Sequence, residues 1–440
     1  MRCPLTIFVL LTCLLTCRPS PLPRHGTLAL TLRAAPADLL AKLKLGPQEA
    51  IQVTTAANGL EKDDLIVRVD GKRFKSFAEY GELLRCETLK DRAELTILRN
   101  GKSFVVVLKV QPRVSDSTPT YDSQYEEVLS NGHRIRMILT RPKSPGRHPV
   151  FFYIQGINLG SIDFPLSATN YVASLLRGFA NDYVTVRVEK TGVGDSEGGP
   201  ARLVGFNEEA DIYRQALKAL PTYDFVDPQN IYIFGHSMGG CHAPLVCTET
   251  PVKGIVSYGT VANSWLEWEV RSPRIQEPLA GKSSAEVDQE IRKLASFYHY
   301  LYNEKRSMQW IKRNHPELRA MAQEASPDNV MLGDRSIRYM QEVNDHNFCE
   351  AWAKQKAAHV LALFGENDWI SLMEDQTQVA DSVNKARPGV AVFKVVPASD
   401  HLFNKCKSMQ DSYDRFGKPG TEFNPAIATT VKEWIASLGS

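Results

Sequence analysis

The sequence has few cysteines and little net charge. Its eight cysteines are spread over 440 residues, without a Cys-x-x-Cys pair or the Cys/His spacing of a zinc site, which argues against a structural metal and a disulfide-dense framework. Lysine and arginine number 52 against 50 acidic residues, and no dense basic run occurs. We therefore expect no bound metal and no nucleic-acid partner.

The apolar run at the amino terminus is shorter than the about 20 residues that a membrane-spanning helix needs. Arg2 precedes this run, which extends from Leu5 to about Cys17 and is followed by RPSPLPRHG. Such a pattern is typical of a secretory signal peptide, so we assign residues 1–22 to one and expect an exported protein, periplasmic or secreted. The run ends in Leu-Leu-Thr-Cys, which resembles a bacterial lipobox with Thr16 in place of the usual Gly, Ala or Ser. A lipoprotein anchored to the membrane through Cys17 therefore stays open as an alternative.

Residues 27–112 are predicted to form a small β-rich unit. Asn100-Gly101 lies between two apolar segments and predicts a hairpin, and an amphipathic helix is expected over 76–85. The unit resembles the second half of PDZ domains of bacterial envelope proteases, and the matching positions are Gly59-Leu60, Asp64, Ile66, Val69, Asp70-Gly71 and the helix. Asp63 replaces the glycine of that pattern, and the loop that would hold a peptide carboxylate is not recognisable. The resemblance implies a PDZ fold; binding a peptide ligand and packing beside an enzyme remain alternatives.

The rest of the chain alternates between strands and helices. Residues 113–124 are rich in Ser, Thr, Pro and Asp and are predicted to be a linker. From 125 to 440, segments such as HPVFFYIQG, DYVTVRVEK and IYIFG alternate with amphipathic stretches. This α/β pattern predicts a mostly parallel sheet covered by helices on both faces. Between 262 and 350 the alternation is replaced by helical stretches, which predicts an inserted helical cap.

A candidate nucleophile lies in the turn after IYIFG. Gly235-His236-Ser237-Met238-Gly239 fits G-x-S-x-G, with a strand before it and a helix-forming stretch after it. The motif and its context resemble the nucleophile elbow of the α/β-hydrolase fold, in which an acid and then a histidine follow the serine along the chain. Asp368 and His401 each follow a later predicted strand, so both are expected beside Ser237 at the carboxyl edge of the sheet.

Other residues near these positions are candidates for the same roles. Glu366 and Asp400 are alternative acids, but Glu366 comes earlier in its loop than the usual position, and Asp400 adjoins His401 in sequence. Three further histidines are predicted to be packing or rim residues: His236, His242 and His346. The oxyanion that forms when a serine attacks a carbonyl group needs hydrogen-bond donors. We predict that the main-chain N–H groups of Met238 and Ile157 are these donors, with Ile157 in the Gln-Gly-Ile segment that starts at the end of HPVFFYIQG.

Residues 125–440 resemble the esterase, lipase and serine-aminopeptidase branch of the α/β-hydrolases. VEKTGVGDSEGGP is similar to the D-x-R-G-x-G-x-S-x-G loop of that branch, with Glu189 and Lys190 as departures; Glu189 and Asp195 either shape the turn or contact substrate. The resemblance implies acyl transfer by Ser237, His401 and Asp368 without a cofactor or metal.

Three functions remain open from the sequence. The first is hydrolysis of a small-molecule carboxylic ester. The second is peptide hydrolysis by a serine aminopeptidase, in which a cap acid such as Glu267 or Glu269 would bind the substrate amine. The third is a PDZ-like peptide-tethering protein on an inactive hydrolase shell. The cap aromatics, which are expected to be mainly cap core, slightly favour an apolar or aromatic acyl group.

Overall fold

The structure, a computed structural model, describes residues 21–88, 90–418 and 420–439. The predicted signal peptide, with Cys17, therefore lies outside the described residues except at positions 21 and 22. None of the helices in the described ranges combines the length and apolar character that a membrane span requires.

An antiparallel sheet with two helices forms the N-terminal domain. Its elements are β1 (Leu32–Ala34), α1 (Ala37–Lys42), β2 (Ile51–Val53), β3 (Leu65–Val69), β4 (Lys72–Arg73), α2 (Phe77–Glu87), β5 (Arg92–Arg99) and β6 (Lys102–Lys109). The strands lie in the order β1-β2-β3-β5-β6, with β4 paired to β3. Asn100 and Gly101 both have positive φ and join β5 to β6 as a tight hairpin. The resemblance to PDZ domains itself stays a prediction.

The predicted linker is shorter than expected at its carboxyl end. Strand β7 begins at Tyr121, so residues 121–124 belong to the sheet of the second domain, which starts before residue 125. Tyr121 and Ser123 are buried, whereas Asp122 and Gln124 are only partly buried. The strand was missed because these polar residues fit both a linker and a half-buried strand.

A mixed sheet of eight strands forms the centre of the second domain in the described residues. The elements before the cap are β7 (Tyr121–Ser130), β8 (His133–Pro142), β9 (His148–Ile154), α3 (Tyr171–Arg177), β10 (Val184–Val188), α4 (Phe206–Ala219), β11 (Val226–His236), α5 (Met238–Val246) and β12 (Gly254–Tyr258). The elements of the cap region are α6 (Trp265–Arg271), α7 (Pro273–Leu279), α8 (Ser284–Tyr298), α9 (Met308–Asn314), α10 (Arg319–Ala325), β13 (Met331–Leu332), β14 (Arg335–Ser336), α11 (Ile337–Asp345) and α12 (Phe348–Lys354). The last elements are β15 (His359–Gly365), α13 (Met373–Ala386), β16 (Ala391–Val396), α14 (Met409–Arg415) and α15 (Ala426–Ser437).

The strand order of this sheet brings the candidate site together. The order is β16-β15-β12-β11-β9-β10-β8-β7, and only β8 pairs antiparallel with its neighbours β7 and β10. Apolar side chains on the two faces pack against two separate sets of helices. The predicted, mostly parallel α/β sheet is confirmed. Because β9, β11, β12, β15 and β16 are parallel neighbours, the loops after them meet at one edge.

Helices fill the chain between β12 and β15, where the sequence predicts the cap. Serine side chains begin α6, α8 and α9 by accepting from main-chain N–H groups in the first turn, as expected of N-caps. Phe297 and Tyr302 are fully buried, and the Trp265 and Trp268 rings stack with centroids 4.5 Å apart. These aromatic side chains therefore form core within the cap.

The two domains contact each other through α2 and the loop after β10. Arg85 donates to the carbonyl oxygens of Ser196 and Gly198, at 2.8 and 3.4 Å, and Glu79 forms a 2.8 Å ion pair with Arg202. A cavity of about 370 Å³ lies between α2 and the loops 159–161 and 192–194 of the second domain. The first and last turns of α2 therefore both contact the second domain.

Candidate active site

Ser237 is the single residue between strand β11 and helix α5, and its backbone conformation is unusual for serine. Its φ is 54° and its ψ is −124°, which L-residues rarely adopt without support from the surrounding structure. A Cβ at Gly239 would lie 2.1 Å from the Ile154 carbonyl oxygen, and one at Gly235 would lie 2.6 Å from that of Gly239. Both glycines are therefore required for the sharp turn that leaves Ser237 partly exposed.

His401 and Asp368 form a buried hydrogen-bonded pair. His401 Nδ1 lies 2.8 Å from Asp368 Oδ2, and the Asp368 side chain is fully buried. Oδ1 of Asp368 accepts from the N–H groups of Ile370 and Ser371, at 2.8 and 2.9 Å. Although burial alone would raise it, the pKa of Asp368 is lowered by His401 and by the Ser371 hydrogen bonds. The carboxylate is thus ionised and fixed in orientation at neutral pH.

The corner after β12 joins this pair to the serine. The Ser237 N–H donates to the Tyr258 carbonyl oxygen at 2.8 Å. The next residue, Gly259, has a φ of 60°, and a Cβ there would lie 2.9 Å from both Asp368 Oδ2 and His401 Nδ1. His236, next to Ser237, has its Nε2 2.9 Å from the carbonyl oxygen of His401. Ser237, Asp368 and His401 therefore gather around one corner of the sheet edge.

Replacing Gly259 with alanine is expected to separate the His401–Asp368 pair. The added Cβ would overlap both partners and would also sit at an unfavourable positive φ. We expect any turnover that depends on this pair to fall by about 100-fold, since small misplacements of catalytic groups have effects of this size. The measurement is kcat/KM beside a thermal melt. Gly281→Ala is the control, because Gly281 also has positive φ but no atom lies within 4 Å of its added Cβ. Equal losses in both variants would contradict the steric argument.

The alternative acids have other partners. Glu366 accepts from the Ala398 N–H at 2.7 Å. Asp400 accepts from the N–H groups of Leu402 and Asn404, at 2.9 and 2.8 Å, and so shapes its own loop. Of the three candidate acids, Asp368 is the one whose carboxylate contacts the ring nitrogen of His401.

The other histidines pack inside the protein or at its rim. Burial, together with the nearby His401, lowers the pKa of His236 to about 3, so its ring is neutral and can support the His401 main chain. His242 is fully buried and stacks on Phe206, with ring centroids 4.1 Å apart. His346 is half-buried and bonds to Asn207 Oδ1 at 2.7 Å.

The two main-chain N–H groups predicted to bind an oxyanion belong to segments that lie next to Ser237. Met238 is the first residue of α5, so its N–H has no partner within the helix. Ile157 follows Gly156 in the loop after β9, and a Cβ at Gly156 would lie only 3.1 Å from the Ser237 Cβ. This close approach places the loop that carries Ile157 against the serine.

A buried cluster of charges holds the loop that carries Ile157, and the sequence reasoning missed it. Lys190 and Arg335 each lie 2.8 Å from an oxygen of Glu209. Lys190 Nζ also donates to the Gly156 carbonyl oxygen at 2.6 Å, and Arg335 Nε donates to that of Ile157 at 2.8 Å. Lysine at 190, a departure from the related loop pattern, was the sequence signal that could have revealed this cluster.

The other two candidates in the loop after β10 have structural partners. Glu189 accepts from Ser161 Oγ and, at 3.3 and 3.2 Å, from the N–H groups of Ile162 and Asp163. Burial raises the pKa of Glu189 to about 7. Asp195 forms a buried 3.0 Å ion pair with Arg136 and accepts from the His25 N–H at 2.8 Å. Both carboxyl groups therefore fix the loops around the site.

No cluster of three or more His, Cys, Asp or Glu side chains able to hold a metal ion occurs in the described ranges. The four cysteines whose side chains the structure describes there, Cys241, Cys247, Cys349 and Cys406, are free thiols.

Comparison with known proteins gives one family match and several remote likenesses. A family model described as serine aminopeptidase, S33, matches residues 168–401, a range that contains Ser237, Asp368 and His401. The uncharacterized peptidase YtmA of Bacillus subtilis is 25% identical over 168 residues, which are 37% of this chain and 62% of that protein. The match thus spans less than two thirds of that relative.

Solved esterase structures are also similar in fold. Est1E from Butyrivibrio proteoclasticus has a TM-score of 0.43 at 13% identity, covering 71% of this chain and 98% of its own. Acetyl xylan esterase 1 from Thermoanaerobacterium sp. JW/SL YS485 has a TM-score of 0.41 at 15% identity, covering 74% of this chain and 86% of its own.

Proposed function

The chain belongs to the serine aminopeptidase (S33) family of α/β-hydrolases, and on that premise we propose that it is a serine hydrolase cleaving a carboxylic ester through an acyl-enzyme. The observation that carries the proposal is the 2.8 Å contact between His401 and the buried Asp368, beside the strained elbow at Ser237. A nucleophile, a base and an acid that orients the base are the groups that acyl transfer requires.

In the proposed mechanism, Ser237 Oγ attacks the ester carbonyl while Nε2 of His401 takes the hydroxyl proton. Asp368 accepts from Nδ1, which fixes the tautomer and stabilises the imidazolium. The N–H groups of Met238 and Ile157 bind the oxyanion, a contact worth about 3 kcal/mol per donor. His401 then protonates the leaving alcohol. A water molecule, deprotonated by the same ring, releases the acid and restores Ser237.

The cap acids favour an ester over an amino-terminal peptide. Glu269 is partly buried and already accepts from Trp265 Nε1 at 2.8 Å and from the Tyr302 hydroxyl at 3.2 Å. Glu267 forms an ion pair with Arg271 at 3.1 Å. Aminopeptidase activity would need a cap carboxylate available to the substrate amine, and both candidates have partners within the protein.

Glu269 is expected to make the cap less stable as pH rises. Burial raises its pKa from 4.5 to about 7, despite three aromatic donors. A raised pKa means that the folded state holds the proton more tightly than the unfolded state does. The protonated carboxyl group therefore contributes about 3 kcal/mol to the free energy of unfolding below about pH 4.5, and this contribution is lost as the pH rises through about 7. The Glu269→Gln variant has no carboxyl group at this position, so its stability is expected not to fall in this way as the pH rises. Thermal melts of both proteins from pH 4 to 8 should show the wild type falling relative to the variant; parallel curves would contradict the assignment.

The test of function uses one substrate panel. Purified protein is assayed with p-nitrophenyl esters of increasing acyl length and with aminoacyl p-nitroanilides. Hydrolysis of the esters with little or no anilide turnover supports the proposal, and the chain-length profile sizes the acyl pocket. Faster release from the anilides would instead favour the aminopeptidase.

For the N-terminal domain we propose a role in packing beside the hydrolase rather than in tethering peptides. Helix α2 already contacts the hydrolase domain through Arg85 and Glu79.

The proposal of export rests on the sequence of residues 1–22 alone. Cell fractionation and the mass of the mature amino terminus would test it, and they would also separate a free protein from one lipidated at Cys17.

A further inference from the structure

Three charged side chains from distant parts of the hydrolase domain meet behind the loop that carries Ile157. Lys190 follows β10, Glu209 lies on α4, and Arg335 belongs to β14 of the cap. All three are at least 98% buried. His242 lies 3.3 Å from the same Glu209 oxygen as Lys190. We call these four residues the Glu209 cluster.

The cluster contacts one peptide group that matters for the proposed reaction. The carbonyl of Gly156 and the N–H of Ile157 belong to the same planar trans peptide, so the two groups point in opposite directions. Lys190 Nζ holds the Gly156 oxygen at 2.6 Å. Its hydrogen bond thereby fixes the direction of the Ile157 N–H, and a donor on the carbonyl polarises the peptide so that this N–H becomes a stronger donor.

Arg335 holds the following peptide group. Its Nε donates to the Ile157 carbonyl oxygen at 2.8 Å, while Nη2 lies 2.8 Å from Glu209. Lys190 and Arg335 thus hold two successive carbonyl oxygens of the loop. Gly156 itself packs closely against Ser237, where an added Cβ would lie 3.1 Å from the Ser237 Cβ, so this loop contacts the serine as well as Lys190 and Arg335.

We propose that Lys190 and Arg335 are positioning residues that aim the Ile157 N–H at the oxyanion, and that Arg335 links the cap to this catalytic step. The inference rests on the function proposed above. It assigns a role to residues that neither form a bond with the substrate nor transfer a proton in the reaction.

The electrostatics of the cluster agree with positioning rather than with stability. Burial lowers the pKa of Lys190 to about 7, with a further contribution from Arg335. Burial would raise the pKa of Glu209, but Arg335 and Lys190 hold it well below its ordinary value. Buried charges of this kind often contribute less to stability than apolar side chains of the same size. They do, however, fix geometry through directed hydrogen bonds.

The test compares Lys190→Met with the wild type in ester hydrolysis. We expect kcat to fall by about 10- to 100-fold, because one oxyanion donor loses its orientation while the other remains, and KM to stay within about twofold. A trifluoromethyl ketone inhibitor, whose bound form carries an oxyanion, should lose affinity by the same factor as kcat/KM. Arg335→Met should change the same quantities in the same direction by about tenfold.

Arg338→Met is the matched control. Arg338 also joins the cap to α4, through a 2.6 Å ion pair with Glu208, but no contact of it reaches the loop at 156–157. We expect its kcat and inhibitor affinity to be those of the wild type. If Lys190→Met does not fold, Lys190→Met combined with Glu209→Gln removes the uncompensated carboxylate and is tested in its place.

The outcomes separate this inference from the proposed function. An active wild type with an unchanged kcat and inhibitor affinity in Lys190→Met would overturn the positioning role and leave the hydrolase intact. A fall in kcat without a matching loss of inhibitor affinity would also overturn it. A wild type that neither hydrolyses esters nor binds the ketone would instead contradict the proposed function.

Discussion

Ser237→Ala is expected to lower kcat for a p-nitrophenyl ester by about 10⁴-fold or more. The nucleophile is removed, and what remains is the weaker assistance that an oxyanion site and substrate binding give to attack by water. The measurement is steady-state turnover at saturating ester, corrected for spontaneous hydrolysis. KM is expected to change little, because the hydroxyl contributes to bond formation more than to ground-state binding.

Ser237→Gly provides a control for the fold. Both variants lack the hydroxyl, but glycine adopts the observed φ of 54° without strain. We expect the glycine variant to be equally inactive and more stable than the alanine variant, by about 1 kcal/mol. Residual turnover above about 1% of the wild type in either variant would exclude Ser237 as the nucleophile.

Asp368→Asn is expected to lower kcat by about 10³- to 10⁴-fold with the fold retained. The amide can occupy the same space, but it favours the wrong tautomer of His401 and does not stabilise the imidazolium. It also replaces a carboxylate that accepts from the N–H groups of Ile370 and Ser371. The measurement is again kcat, together with a circular dichroism spectrum.

Glu366→Gln is the matched control for this change. Glu366 lies in the same loop after β15, but its carboxylate accepts from Ala398 N–H and not from His401. We expect activity within about twofold of the wild type. A large loss in Glu366→Gln beside a small loss in Asp368→Asn would mean that the acid of the site had been assigned to the wrong residue.

Much of the fold could be predicted because its determinants are local. The alternation of buried strands with amphipathic helices predicts the sheet, and Asn100-Gly101 predicts the hairpin that joins β5 and β6. The start of β7 was missed, because its exposed face is polar and resembles a linker. A strand with one polar face carries a weaker signal than one that is buried on both sides.

The candidate site likewise has a part that the sequence predicts and a part that it does not. Ser237, Asp368 and His401 each follow a strand, so their positions in sequence predict their meeting at one sheet edge. The Glu209 cluster could not be found by this reasoning. Its members come from a loop, a helix and the cap, and Lys190 and Arg335 act on main-chain carbonyls, which leave no pattern in the sequence.

The most direct test of the central claim is covalent labelling of the active protein. The wild type is treated with a fluorophosphonate, digested, and the modified residue is located by peptide mass spectrometry. The account predicts a single adduct on Ser237, formed at a rate that falls sharply in His401→Ala. An active esterase whose adduct maps to another residue, or that forms no adduct at all, would contradict it.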